Sequence, residues 1–210
     1  TVGRYLVRRL EQCGLKHVFG IPGDYVLGFY ELLLGSSMGV VGTCTEAGAA
    51  FAADAYARVN GLGAVCITYC VGGLNTINAV AGAYAEKSPL VVISGSPAMR
   101  RRVRSPLLHH RVKDFNTQAL IFEQVTAATA VLNDPARAPA QIDQALAACL
   151  RTKRPVYIEL PTDVCDRPCA KPARLDVSSP PSDKASLGEA VAEAAQMLRR
   201  ARRPVILAGV

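Results

Sequence analysis

The stretch Ala64-Val-Cys-Ile-Thr-Tyr69, followed by Cys70-Val-Gly-Gly73, an alanine-rich run to Lys87, and Pro89-Leu-Val-Val-Ile93, contains one full unit of an alternating architecture. The apolar, β-branched residues over 64–69 and 90–93 read as buried strands, and Gly72-Gly73 opens the helix between them. Ser94-Gly95-Ser96-Pro97 is expected to break the second strand. The whole of 59–85 lacks a charged residue other than Arg58 just before it and is long enough to cross a bilayer, but Gly61, Gly63, Gly72 and Gly73 and Asn60, Asn75 and Asn78 interrupt it, which suits strand, turn and buried helix better than a membrane span.

The same alternation continues on both sides. Towards the amino terminus, Val2, Leu6, Leu10 and Cys13 repeat at helical spacing up to Gly14, and His17-Val18-Phe19 is a short strand running into Gly20-Ile21-Pro22-Gly23. A helix is predicted over 24–34, a strand over 40–44 and an alanine-rich helix over 46–58. Towards the carboxyl terminus, a long loop holds an arginine cluster and His109-His110. Beyond it come a helix over 115–124, a strand over 127–132, a helix over 139–151 and a strand over 156–160. Regular alternation of this kind predicts an α/β fold, an open and mostly parallel sheet with helices on both faces, over residues 1–161. Residues 162–186 turn to Pro, Ser, Asp and Lys and read as a linker; 187–210, with a helix over 187–200 and a strand over 205–208, read as the start of an incomplete second domain.

Composition limits the functions available. Half of the 210 residues are hydrophobic and a fifth are charged, an ordinary globular balance. Seven scattered cysteines without a signal-like leader point to reduced thiols and a cytoplasmic location. Cys66/Cys70 and Cys165/Cys169 lack the usual two-residue ligand spacing, so no metal site is expected in this chain. The net charge of +7 is concentrated in Arg100, Arg101, Arg102 and Arg104 and in Arg199, Arg200, Arg202 and Arg203. The second cluster suits a helix carboxyl end. The first reads as a solvated loop, and no aromatic residue interleaves it to stack a base, so no nucleic-acid partner is expected.

Ligands of open parallel sheets gather at the carboxyl ends of the strands, where Asp24, Glu46, the segment from Thr68 to Gly73 and His109-His110 all fall. Each has a bland reading. Glu46 could stabilise a helix amino terminus by about 0.3–1 kcal/mol, Asp24 could be a cap, and the histidines could be surface residues. The glycine pair lacks both a dinucleotide fingerprint and a P-loop lysine.

Together, however, Phe19-Gly-Ile-Pro-Gly-Asp-Tyr25, Thr45-Glu-Ala-Gly-Ala-Ala-Phe-Ala-Ala-Asp-Ala-Tyr-Ala-Arg58 and Asn78-Ala-Val-Ala-Gly-Ala-Tyr-Ala-Glu-Lys-Ser-Pro-Leu-Val-Val-Ile-Ser-Gly95 resemble the amino-terminal domain of thiamine-diphosphate enzymes. Within that superfamily, Pro106-Leu-Leu-His-His110 and Asp24 are similar to the group that decarboxylates pyruvate, indolepyruvate or phenylpyruvate. The resemblance implies catalytic roles for Glu46, Asp24, His109 and His110. It implies cofactor contacts from Glu46, Pro22, Gly23, Thr68, Gly72 and Asn78. Glu46, if buried, would share a proton with the aminopyrimidine, while Asp24 and the histidines would relay the proton needed for aldehyde release.

The resemblance also implies Mg²⁺, held with the diphosphate by a Gly-Asp-Gly segment and an asparagine that are not found in this sequence. It implies a 2-oxo acid substrate and an active site shared between subunits, in a homo-oligomer (dimer or tetramer) or with a second chain bearing the diphosphate domain. The chain alone is expected to be inactive. The competing readings are an acetolactate-synthase-like carboligase, which generally lacks the histidine pair, and a non-catalytic interaction module. The basic segment 99–104 departs from the loop expected before the histidines.

Overall fold

A computed structural model describes residues 1–103, 106–171, 175–178 and 181–208. Two compact units make up the chain, Thr1–Val177 and Ser178–Val210.

The first unit is an α/β domain. Its elements run α1 (Val2–Gln12), β1 (His17–Gly20), α2 (Leu27–Leu34), β2 (Gly39–Gly42), α3 (Glu46–Asn60), β3 (Gly63–Ile67), α4 (Val71–Leu74), α5 (Ile77–Ala85), β4 (Leu90–Ser96), α6 (Met99–Arg102), α7 (Thr117–Glu123), β5 (Ala128–Val131), α8 (Ala138–Thr152), β6 (Val156–Pro161) and α9 (Thr162–Cys165). The six strands form one sheet in the order β2-β1-β3-β4-β6-β5, with every pairing parallel. The expected α/β class with an open parallel sheet is therefore what forms.

The period-2 alternation of the central strands separates two cores. On β3, Ala64 and Cys66 pack with Leu6 and Leu10 of α1, Leu33 of α2 and Ile142 of α8, whereas Val65 and Ile67 pack with Ala49, Ala50 and Ala53 of α3, Val80 of α5 and Phe122 of α7. Covered on both faces, β3, β4 and β6 are buried along their entire length, which is why β3 and the first half of β4 read as apolar runs, while Ser94, Ser96 and Glu159 are buried polar exceptions. The helix termini follow local chemistry: the Gly48 amide donates to Thr45 Oγ1 at 3.1 Å, capping α3 and placing Glu46 in its first turn.

Several boundaries differ from the sequence reading. The helix predicted from Asp24 begins at Leu27, because Gly23 to Val26 form a turn in which the Val26 amide donates to the Gly23 carbonyl at 2.8 Å. β4 continues through Ser94-Gly95-Ser96, paired with Glu159, Leu160 and Pro161 of β6. The glycine there marks close backbone approach: a Cβ on Gly95 would lie 2.0 Å from the Tyr25 carbonyl oxygen, so the turn after β1 packs directly on β4. Thr162–Cys165 is helical, with Val164 and Cys165 buried in the core beneath α1 and α2.

The second unit contains α10 (Lys184–Arg200), capped by Asp183, whose Oδ1 accepts from the Ser186 amide at 2.8 Å. Residues 205–208 are not a strand, since strand geometry requires a hydrogen-bonded neighbour and none pairs with them among the described residues. Residues 172–174, 179–180 and 209–210 of the predicted linker and second domain lie outside the described residues, as does Arg104.

Candidate active site

In the strand order β2-β1-β3, the chain leaves β1 to one side and returns to the other. This opens a crevice at the carboxyl ends of β1 and β3, the position where open sheets bind ligands. Gly23 follows β1 and Thr68 follows β3. A Cβ on Gly23 would lie 2.6 Å from the Thr68 Cβ, so only glycine lets the two segments meet. On the other flank of Thr68, a Cβ on Gly72 would lie 3.0 Å from Thr68 Cγ2 and 3.4 Å from Glu46 Oε1. Gly23, Thr68, Gly72 and Glu46 thus form a continuous row at this edge of the sheet.

Two atoms in this row remain uncommitted. Thr68 Oγ1 is buried without a hydrogen-bond partner among the described residues, a vacancy that ordinarily costs about 1–3 kcal/mol. Glu46 accepts from Asn75 Nδ2 at 2.8 Å through Oε2, and Oε1 has no hydrogen bond among the described residues. Glu46 is only half-buried in this chain, so the burial that sequence reasoning required of it is not supplied by the domain itself. Pro22 is exposed on the crevice rim. Asn78 is exposed on the first turn of α5, and no hydrogen bond joins it to Glu46.

The second group lies beside Gly23. His109 Nε2 donates to Asp24 Oδ2 at 3.1 Å, and its ring stacks on Tyr25 at 4.8 Å between centroids and 17° between planes. The Tyr25 hydroxyl lies 3.2 Å from His109 Nδ1 and donates to the His109 carbonyl oxygen at 3.1 Å. Burial pushes the Tyr25 hydroxyl upward, against a smaller pull from the Arg101 charge, so it remains a neutral donor. His110 packs edge-on against His109 at 4.8 Å; its backbone is left-handed (φ 65°) and its buried Nδ1 has no partner among the described residues.

A cavity of about 270 Å³ opens here, lined by Asp24, Tyr25, His109, Ala98, Thr162, Arg100 and Arg101. A larger groove of about 360 Å³ lies between α1 and α2 and contains none of the candidate residues.

The arginine segment is not uniformly solvated, as its composition suggested. Arg102 pairs with the fully buried Glu159 at 2.6 Å and donates to Ser96 Oγ at 2.7 Å. Glu159 also accepts from the Tyr157 hydroxyl at 2.8 Å, and Gln118 Nε2 bonds both Tyr157 and Ser94. Arg100 and Arg101 stay exposed; Asp163 Oδ2 accepts from the Arg100 amide at 3.3 Å, but no carboxylate forms an ion pair with either guanidinium group among the described residues. Tyr25, Asn75 and Arg102 were not singled out by sequence reasoning. Tyr25 stood within a quoted motif, whereas Asn75 and Arg102 carried no local signal.

Among the described residues no group of three or more His, Cys, Asp or Glu could hold a metal ion, and no helix is long and apolar enough to cross a membrane.

A parallel domain with a glycine-lined crevice at its switch point and a carboxylate on the rim defines a cofactor-binding α/β class. Residues 1–120 match the thiamine pyrophosphate enzyme family, N-terminal TPP binding domain, and the chain belongs to that family. Along its whole length it is 39% identical to a probable pyruvate decarboxylase of Schizosaccharomyces pombe, covering 38% of that protein. It is 39% identical to pyruvate decarboxylase 1 of Oryza sativa subsp. japonica and 37% identical to pyruvate decarboxylase 3 of Arabidopsis thaliana, covering 36% of each. The chain therefore spans little more than a third of the length of these curated relatives.

Proposed function

We propose that this chain supplies the aminopyrimidine side of a thiamine-diphosphate-dependent active site that decarboxylates a 2-oxo acid to an aldehyde. The observation carrying this reading is the row Gly23, Thr68, Gly72 and Glu46, in which two glycines flank an unsatisfied hydroxyl and a carboxylate with one free oxygen stands at the end. A flat, polar heterocycle fits that donor set. With the heterocycle bound, Thr68 Oγ1 would gain the partner it lacks, Glu46 Oε1 would share a proton with a ring nitrogen, and Pro22, Gly23, Gly72 and Asn78 would line the approach. When bound, thiamine diphosphate supplies the nucleophilic carbon and the electron sink that loss of carbon dioxide requires.

Asp24 holds His109 through Nε2, and Tyr25 backs the ring, so the imidazole is aimed before substrate arrives. In this reading His109 and His110 carry the proton that releases the aldehyde, and Arg100 and Arg101 draw the anionic 2-oxo acid into the same cavity. The histidine pair favours a decarboxylase over a carboligase. The diphosphate and Mg²⁺ are assigned to a separate domain, in a homo-oligomer or on a second chain, which would also bury Glu46; α10 begins the domain after the linker. Seven free cysteines suit a reducing, cytoplasmic setting.

The test is steady-state aldehyde production and thiamine diphosphate affinity in the complete enzyme carrying His109→Ala or His110→Ala. The reading expects turnover to fall by about two orders of magnitude, the usual worth of a positioned proton donor, with affinity retained. Lost affinity with normal turnover of the bound fraction would make the histidines structural.

A further inference from the structure

We infer that Asn75 is a positioning residue which decides which oxygen of Glu46 trades the proton. The inference rests on the function proposed above, but its basis is a separate contact. Asn75 follows the four-residue helix α4, with its own amide bonded back to the Val71 carbonyl at 3.3 Å. Its side-chain Nδ2 reaches Glu46 Oε2 at 2.8 Å across 29 residues of sequence. The amide must present its NH₂ group there, because a carboxylate oxygen only accepts.

A carboxylate has two equivalent oxygens and rotates about its last bond, so an unheld Glu46 would offer either oxygen, at a varying angle, to a ring nitrogen. The Asn75 bond removes that freedom. Oε2 remains an acceptor whether Glu46 is ionised or carries a proton on Oε1, so the contact survives proton transfer in both directions. Oε1 is then the oxygen left facing the Gly72 turn, 3.4 Å from where a Cβ would stand. The glycine clears the space and the asparagine points the atom into it. Among the described residues no second hydrogen bond holds Glu46, so the orientation depends on Asn75.

The experiment uses the complete enzyme with Asn75→Ala, Asn75→Asp, Asn75→Gln and, as reference, Glu46→Gln. Thiamine diphosphate affinity is measured by calorimetry, and C2 proton exchange of the bound cofactor by quenched-flow NMR without substrate. Loss of one hydrogen bond predicts exchange about three- to tenfold slower in Asn75→Ala. A second carboxylate beside Oε2 predicts a larger loss in Asn75→Asp, with weakened cofactor binding. The longer amide of Asn75→Gln should restore part of the rate. Exchange is normalised to bound cofactor, so a variant that merely folds poorly loses occupancy and keeps its rate. If Glu46→Gln slows exchange while Asn75→Ala and Asn75→Asp match wild type within twofold, the positioning role is overturned and the proposed function stands. If Glu46→Gln itself leaves exchange unchanged, both fall.

Discussion

Arg102 Nη2 lies 2.6 Å from Glu159 Oε1, and this pair fastens the loop that leads to the histidines onto the end of β6. The same guanidinium stands 5.7 Å over the Phe115 ring, whose backbone carbonyl accepts from the Tyr69 hydroxyl at 3.1 Å. Both sides of the loop are therefore tied to the sheet edge. Removing the arginine alone leaves a buried carboxylate without its counter-ion, so Arg102→Met is expected to cost about 3–5 kcal/mol. The double variant Arg102→Met/Glu159→Leu should recover part of that loss, because the orphaned charge is gone. Urea denaturation of both variants checks this; a single variant as stable as wild type would show that the pair holds nothing.

A second expectation concerns the cavity. Arg100 and Arg101 line it beside Asp24 and His109, and among the described residues no ion pair ties up their guanidinium groups. If they draw in an anionic substrate, Arg100→Gln/Arg101→Gln in the complete enzyme should raise KM several-fold with kcat nearly unchanged. The wild-type KM should also climb with ionic strength as the field is screened over about 10 Å. A KM indifferent to both salt and substitution would remove the arginines from substrate capture.

Alkaline pH should weaken the domain. Burial pushes the Cys66, Cys149 and Cys165 thiols upward, Cys165 to about 12, and raises the Tyr30 and Tyr157 hydroxyls as well. Unfolded thiols lose their protons from about pH 8.5 and phenols from about pH 10, while the folded chain keeps them. The folded state then binds more protons than the unfolded one, so stability is fully present below about pH 8.5 and declines above it. Urea midpoints at pH 7, 8.5 and 10 measure the decline; a flat profile would mean that the thiols ionise freely in the folded state.

The same burial predicts selective alkylation. Cys44 is exposed at the end of β2, whereas Cys66, Cys149 and Cys165 are buried. Iodoacetamide at pH 8 should label Cys44 in the native protein and leave those three unmodified until denaturant is added, as mass spectrometry of peptides would reveal.

How much of this was legible in the sequence depended on range. β3 and the first half of β4 were readable because a strand covered on both faces is largely apolar, and α3 was readable from its alanine-rich run over 46–58. Glu46, Asp24 and the histidines stood out because polar residues at the carboxyl ends of such strands face the ligand edge. Contacts made across the sequence stayed hidden. Ser94-Gly95-Ser96 reads as a strand breaker until Tyr25 is seen to need the space above Gly95. Arg102 reads as one more solvated cation until Glu159, 57 residues away, is placed beside it. Asn75 looks like a turn residue until its amide meets Glu46. The predicted strand over 205–208 failed for the opposite reason: apolar sequence is present, but no strand pairs with it among the described residues.

The central claim is that Glu46 is the carboxylate which exchanges a proton with the aminopyrimidine. Glu46→Gln in the complete enzyme keeps the shape and volume of the side chain while removing its ability to ionise. The decisive measurement is the C2 proton exchange rate of bound thiamine diphosphate, read by NMR in wild type and variant at matched occupancy. Exchange slower by about two orders of magnitude or more, with an unchanged urea midpoint, is the predicted result. Exchange at the wild-type rate would contradict the assignment and leave Glu46 as no more than a favourable charge at the start of α3.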